Sequence, residues 1–222
     1  LDLLSRRFRL TTAHTAMYFV PDMITKFLRR FGFTSKVSSN KKSHKSHPDF
    51  SIIPAVYTDA AFLTNAYLSA ASDGAVASQP NTDEYISRSI AVSQRELAPQ
   101  MHPHPFASGQ PRVYPLDDLF VLKKDDIPVG VLWLRDYNDF QLLESAWFGE
   151  LIFLWIQPEF RGLGVWPLVS EFAKKWAVDA KKSHLMGRCR KPSRRMAELF
   201  ERSGFTTDGV TPSGMSVHTW RC

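Results

Sequence analysis

Residues 150 to 169 read ELIFLWIQPEFRGLGVWPLV, and the fold turns on how this stretch is divided. Leu151 to Ile156 is an unbroken apolar run. It is far short of the roughly 20 residues of a membrane-spanning helix and suits a strand covered on both faces. Arg161, Gly162, Leu163 and Gly164 then turn the chain. Val165, Leu168, Val169, Phe172 and Trp176 follow at helical spacing, which predicts a helix from about Leu163 to Lys181. Strand, glycine turn and helix N-terminus in this order make an anion cradle. The two glycines let the backbone turn sharply and approach a ligand, and the first-turn N–H groups lack intrahelical partners at the positive end of the helix dipole. Phosphate or pyrophosphate is the natural occupant, with Arg161 to neutralise it. No Gly-Lys-Ser/Thr follows, so the turn is not a P-loop.

Working outward, Phe50 to Val56 reads as a strand, and Phe62, Leu63, Ala66, Tyr67 and Ala70 as one face of a helix capped near Thr58. A second helix is expected from Thr82 to Leu97, with Asp83 and Glu84 favouring its N-terminus. Residues 99 to 115 hold five prolines and read as a loop. Leu119 to Leu122 and Val129 to Leu134 flank KKDDIP as a hairpin, its second strand apolar on both faces and therefore central. The next strand spans Trp147 to Ile156. Beyond the long helix come a strand from His184 to Arg190, a helix from Pro192 to Ser203 stopped by Gly204, and a final strand from Met215 to Arg221. Six strands and four helices in this order predict an α/β fold, a central mixed sheet with helices on both faces.

The chain has 222 residues, 44% of them hydrophobic, with 28 Lys+Arg against 22 Asp+Glu for a formal charge of +6. That length suits one domain with an appendage. The charge is uneven: residues 1–47 carry ten basic and two acidic residues, and residues 48–222 carry 18 basic and 20 acidic. The chain therefore divides into a basic leader and linker, 1–47, and a slightly acidic domain, 48–222. In the leader, Met23, Ile24, Phe27, Leu28 and Phe31 share a helical face, and the Ser/Lys/His-rich stretch after Ser35 reads as a linker. A weak contact with an anionic membrane or nucleic acid is its sharper reading. Two cysteines, Cys189 and Cys222, make no disulfide framework and suit a reducing compartment. The expected location is cytoplasmic, with organellar import through a cleavable basic leader as the alternative.

Over residues 147 to 205 the sequence resembles the GNAT superfamily of N-acetyltransferases. The family's Arg/Gln-x-x-Gly-x-Gly/Ala turn is matched by RGLGVW, 161 to 166, and its Tyr-x-x-x-Gly-Phe helix end by AELFERSGF, 197 to 205, with Phe200 in the tyrosine position. The resemblance implies a GNAT-like fold over residues 48–222 and acetyl-CoA as cosubstrate, without a metal. It implies that Arg161, Gly162, Leu163, Gly164, Val165 and Trp166 hold the pyrophosphate, and that main-chain groups at Leu154 and Ile156 align the pantetheine arm. Trp166 replaces a small residue and is expected to pack outward or onto the cofactor.

A primary amine of pKa near ~10.4 is neutral in about one molecule in 2,500 at pH 7, so its attack on a thioester benefits from a general base. Glu150 is the candidate: it starts the strand, is expected on the face of Ile152, Leu154 and Ile156, and occupies a position where relatives carry glutamate bases. Phe200 cannot protonate the leaving thiolate. With a thiol pKa of ~8.5, departure unprotonated costs only about 2 kcal/mol at pH 7, and water, Cys189, Ser193 or Ser203 are the substitutes. The expected function is acetyl transfer from acetyl-CoA to a primary amine by direct attack in a ternary complex, by a monomer or homodimer. The competing reading is a non-catalytic GNAT-like binding protein tethered to membrane or nucleic acid through the leader. By resemblance, residues 74–118 and 206–216 select the acceptor, and their acids Asp83, Glu84, Asp117, Asp118 and Asp208 suit a cationic amine. Arg188, Arg190, Lys191, Arg194 and Arg195 read as one basic cluster near the CoA nucleotide or as a solvated face. His102 and His104 lack a third metal ligand.

Overall fold

The computed structural model describes residues 50–98, 116–137, 148–190 and 193–222. Its elements are β1 (Phe50–Pro54), α1 (Ala60–Ser72), α2 (Thr82–Ser93), β2 (Leu116–Lys124), β3 (Ile127–Tyr137), β4 (Phe148–Ile156), α3 (Val165–Asp179), β5 (His184–Cys189), α4 (Arg194–Arg202), β6 (Thr206–Val210) and β7 (Ser216–Arg221). The leader, its helix, the proline-rich loop with His102 and His104, Trp147, Lys191 and Pro192 lie outside the described residues.

The strands form one mixed sheet in the order β1-β2-β3-β4-β5-β7-β6. Every neighbouring pair is antiparallel except β4 and β5, which α3 joins by a crossover. Central β3 sends Val131 and Trp133 to one face and Leu132 and Leu134 to the other. On the first face Leu63, Ala66 and Tyr67 of α1 and Ile86 and Ile90 of α2 pack on Leu119, Val121, Val131, Trp133 and Phe153. On the second, Val165, Val169, Ala173 and Trp176 of α3 and Phe200 of α4 pack on Leu122, Leu132, Leu134, Leu151 and Leu185. The expected two-faced sheet is thus observed.

Some boundaries differ, for local reasons. The carboxylate of Asp59, rather than Thr58, accepts the Val56 N–H at 2.9 Å and shapes the turn before α1. Helix α2 ends at Ser93, because Arg95 adopts φ 64° and its guanidinium reaches Asp118 at 2.9 Å. Asp125 and Asp126, at φ 51° and 65°, make the tight turn between β2 and β3. Strand β6 is additional: all five of its residues are exposed, so it lacks the apolar alternation that marks a strand.

Candidate active site

Among the described residues, strands β4 and β5 pair only from Phe148↔His184 to Leu151↔Gly187. Beyond that, β4 continues to Ile156 on β3 alone, and β5 continues to Cys189 on β7 alone. The two strands part, and a gap opens towards the C-terminal end of β4. Backbone polar groups along this half of β4 face a side without a ladder, so a side chain, a ligand or water must satisfy them. A bulge helps to open it, for the register slips where Leu134 faces Leu151 and Trp133 faces Phe153, leaving Ile152 as the extra residue.

The same bulge corrects the expected position of Glu150. Leu154 and Ile156 pack with the α3/α4 core, whereas Ile152, Phe153 and Trp155 pack with the α1/α2 core. The opposite neighbour Gly149 abuts the Trp176 ring of α3. Glu150 therefore points to the α1/α2 side, away from Leu154 and Ile156, because the extra residue inverts the alternation. It is 1% exposed. Tyr137 donates to its Oε2 at 3.0 Å, and the Arg188 Nε–H donates to its Oε1. The Arg188 charge offsets the desolvation of the carboxylate. Burial first, and then the Glu150 charge, push the Tyr137 hydroxyl up, so it remains a donor at neutral pH. Beside this group Arg135 grips Asp117 through Nε at 2.6 Å and a second N–H at 3.0 Å, and burial pushes Tyr85 up to about 12.

Past the end of β4, Gln157 to Arg161 form a short turn, anchored where the Gln157 N–H meets the Val129 carbonyl at 2.9 Å. Gly162 and Gly164 have φ 83° and 78°, and the space where Gly162 would carry a Cβ is open. Gly164 is the N-cap of α3, and Pro167 lies in the first turn. A side chain is thus excluded by backbone conformation while the space stays available to an anion. Leu163 is exposed between the glycines, and Val165 is buried in the core beneath them. Arg161 ties the turn to the strand, its Nε–H donating to the Ile156 carbonyl at 2.8 Å. Trp166 turns neither outward nor towards a ligand. It is 8% exposed, meets Phe200 edge-on at 5.2 Å, and donates its Nε1–H to the Leu199 carbonyl at 3.0 Å and the Ser203 hydroxyl at 2.6 Å. Only its backbone is left to face the cradle, because the indole locks α3 to α4.

Phe200 covers Gly187, where any Cβ would collide with the ring, and stacks on His218 with centroids 5.3 Å apart. His218 heads a chain that sequence reading missed, since a lone histidine in a short strand carries no motif. Thr207 donates its hydroxyl proton to Glu201 at 3.1 Å and lies 3.2 Å from His218 Nδ1, while His218 Nε2 shares a hydrogen bond of 3.0 Å with the Ser216 hydroxyl. Burial lowers the His218 pKa and keeps the ring neutral. Of the three substitutes for the missing tyrosine, Ser203 is held by Trp166, and burial pushes the Cys189 thiol up to about 11. Ser193 is the N-cap position of α4.

The basic cluster is two groups. Arg188 and Arg190 lie on the α1/α2 side, where Arg190 donates to the Gly74 carbonyl at 3.1 Å. Arg194 and Arg195 line a groove along α4 with Glu198, Leu199 and Arg202. The acids also divide. Asp117 is matched by Arg135, and Asp118 by Arg95 and the Trp176 Nε1–H. Asp83 and Glu84 begin α2, and Asp208 is in exposed β6.

The sequence matches the model of the Acetyltransferase (GNAT) family over residues 90–205. Among solved structures, an N-acetyltransferase from Staphylococcus aureus Mu50 aligns with TM-score 0.57 and 14% identity, over 78% of this chain and 98% of that one. yncA of Salmonella typhimurium, solved with its cofactor acetyl-CoA, aligns at 0.56 and 14%, over 78% and 94%. The paia N-acetyltransferase from Thermoplasma acidophilum, in complex with coenzyme A, aligns at 0.53 and 12%, over 78% and 99%. At such identities the likeness is one of fold. No curated protein sequence matches this one.

Proposed function

The chain belongs to the acetyltransferase (GNAT) family, and from that premise we propose that residues 48–222 transfer an acetyl group from acetyl-CoA to a primary amine by direct attack in a ternary complex. The observation that carries the proposal is the parting of β4 from β5 beside the open glycine cradle. The cradle fits a pyrophosphate: Gly162 leaves space, the first-turn N–H groups of α3 are unclaimed within the helix, and Arg161 stands at the edge. The half of β4 beyond its pairing with β5, including the main chain of Leu154 and the N–H of Ile156, fits an extended arm that hydrogen-bonds like a strand. Acetyl-CoA supplies an acetyl group activated as a thioester.

The chain's own residues do the rest. Backbone N–H groups from Gly162 to Trp166 hold the phosphates. Glu150 lies on the far face from the α3/α4 core, where the amine enters, and takes the amine proton. Tyr137 and Arg188 fix the orientation of its carboxylate. That both carboxylate oxygens are engaged favours a second reading, in which Glu150 positions Arg188 and Tyr137 and the amine arrives neutral. Glu150→Gln separates the two. If Glu150 is the base, kcat/KM falls by about a hundredfold or more at neutral pH, and the deficit shrinks as rising pH deprotonates the amine. A loss that is the same at every pH assigns the positioning role. Absence of transfer from acetyl-CoA to every member of an amine panel would sink the proposal itself.

A further inference from the structure

Arg135 stands opposite two acids at once. In the ladder of β2 with β3 it faces Asp117, and in the ladder of β3 with β4 it faces Glu150. Directly opposite residues of neighbouring antiparallel strands send their side chains to the same face, with Cβ atoms about 5 Å apart, so a guanidinium can reach either carboxylate. That face is the α1/α2 side, where Leu119, Trp133 and Phe153 pack. One row thus runs Asp117, Arg135, Glu150 across three strands, and Arg188 of β5, two residues past the register partner Met186, closes it. The signs alternate, but the bonds do not form a continuous chain. Arg135 donates its Nε–H at 2.6 Å and a terminal N–H at 3.0 Å to the two oxygens of Asp117. Glu150 pairs with Arg188, and no ion pair of the described residues joins Arg135 to Glu150. The row is two closed pairs. The place that a second cation would take at Glu150 is filled by Tyr137, a neutral donor two residues along β3, at 3.0 Å from Oε2. The Arg135 and Asp117 side chains are only 16% and 13% exposed, so a guanidinium released there would turn to the nearest acid rather than to water.

We propose that Asp117 is a positioning residue: by holding Arg135 with two hydrogen bonds it keeps that guanidinium off Glu150, the acid directly opposite, and so leaves the Glu150 carboxylate free to take the amine proton. This rests on the reading of Glu150 as the base of an acetyltransferase and adds the residue that protects it. Every cation bound to a carboxylate favours its charged form and weakens it as a base, and every hydrogen bond fills one of its roughly four lone-pair sites. One guanidinium and one phenol leave Glu150 room for a proton. A second guanidinium, whose planar fork spans both oxygens of a carboxylate, would take that room. Glu150 is faced by Arg135 and Tyr137 from β3 and by Arg188 from β5, with Asp117 behind Arg135 on β2. From α2 the Tyr85 ring lies 5.5 Å from that of Trp133, and His184 stacks on Phe148 at the start of β5.

The test releases Arg135 and then removes it. In a crystal structure of Asp117→Ala the guanidinium is expected within about 4 Å of the Glu150 carboxylate. For that variant kcat/KM at pH 7 should fall about tenfold to a hundredfold, and the acid limb of its pH profile should move down by about one unit or more, since a second cation favours the ionised carboxylate. Asp117→Ala/Arg135→Met takes away the released cation, and should recover most of the loss and return the limb to its wild-type position. A merely structural pair behaves otherwise: the double variant is no faster than the single one, and the limb stays where it was. Asp117→Asn, which keeps an acceptor for the fork without the charge, should lie between, and serves in place of Asp117→Ala if that variant does not fold. Thermal shift by acetyl-CoA reports that each variant is folded and still binds the cosubstrate. A guanidinium that stays on the β2 side, or a loss that the double variant does not recover, overturns the inference. If the wild type acetylates no amine, the acetyltransferase reading fails, and the crystal structure still decides the inference: Arg135 on Glu150 in Asp117→Ala supports it, and Arg135 unmoved overturns it.

Discussion

Phe200 and Gly187 explain each other. The ring occupies the volume that a side chain at Gly187 would need, so Gly187→Ala should cost about 1–3 kcal/mol through overpacking, read as a lower urea midpoint. The same contact makes Phe200→Tyr a poor repair of the family pattern. A hydroxyl at Cζ meets β5, so that variant should be less stable by a similar amount and no faster. Trp166→Phe should lose about 1 kcal/mol with the indole hydrogen bonds to Leu199 and Ser203, while the affinity for CoA, which needs only the backbone of residue 166, stays within twofold. For His218 the sign of the pH effect follows from its lowered pKa, caused by burial. Below the unfolded value near ~6.5 the unfolded chain takes the proton before the folded one does, so stability falls as pH drops from 7 through the depressed folded pKa. Chemical denaturation of wild type against His218→Gln from pH 7.5 to 5 should show this, the advantage of the wild type narrowing as pH falls.

Between elements, the deciding contact is the ion pair that joins β4 to β5 just where the strands part. Arg188→Leu leaves the Glu150 carboxylate buried without its cation and should cost about 3–5 kcal/mol, seen as a drop in melting temperature. Most of this architecture was legible in the sequence. Leu151 to Ile156, the glycine turn and the periodicity from Val165 to Trp176 located β4, the turn after it and α3, because strong apolar patterns and left-handed glycines leave local signatures. The bulge at Ile152 was not legible, and with it the face of Glu150, since an inserted residue changes no residue type. Nor was the inward turn of Trp166, which depends on acceptors at Leu199 and Ser203 more than thirty residues away. Arg188 and Arg190 looked continuous with Arg194 and Arg195 in the chain. Strand alternation and the start of α4 send them to different sides.

For the molecule as a whole, acetyl-CoA should act as a stabiliser. At a hundred times its dissociation constant it should add about 2.7 kcal/mol to the unfolding free energy, measured as a rise in melting temperature that free acetate does not reproduce. Removing residues 1–47 should leave that rise intact if residues 48–222 are the acting unit. Among the described residues, the four pairs that hold β4 to β5 are also the whole backbone seam between strands β1 to β4 on one side and β5, β7 and β6 on the other. Mechanically the sheet is two plates stitched along half an edge, and whatever fills the gap is a splint. Amide exchange in β4 and in β7, slow or fast independently in the empty protein, should become slower together once the splint is in.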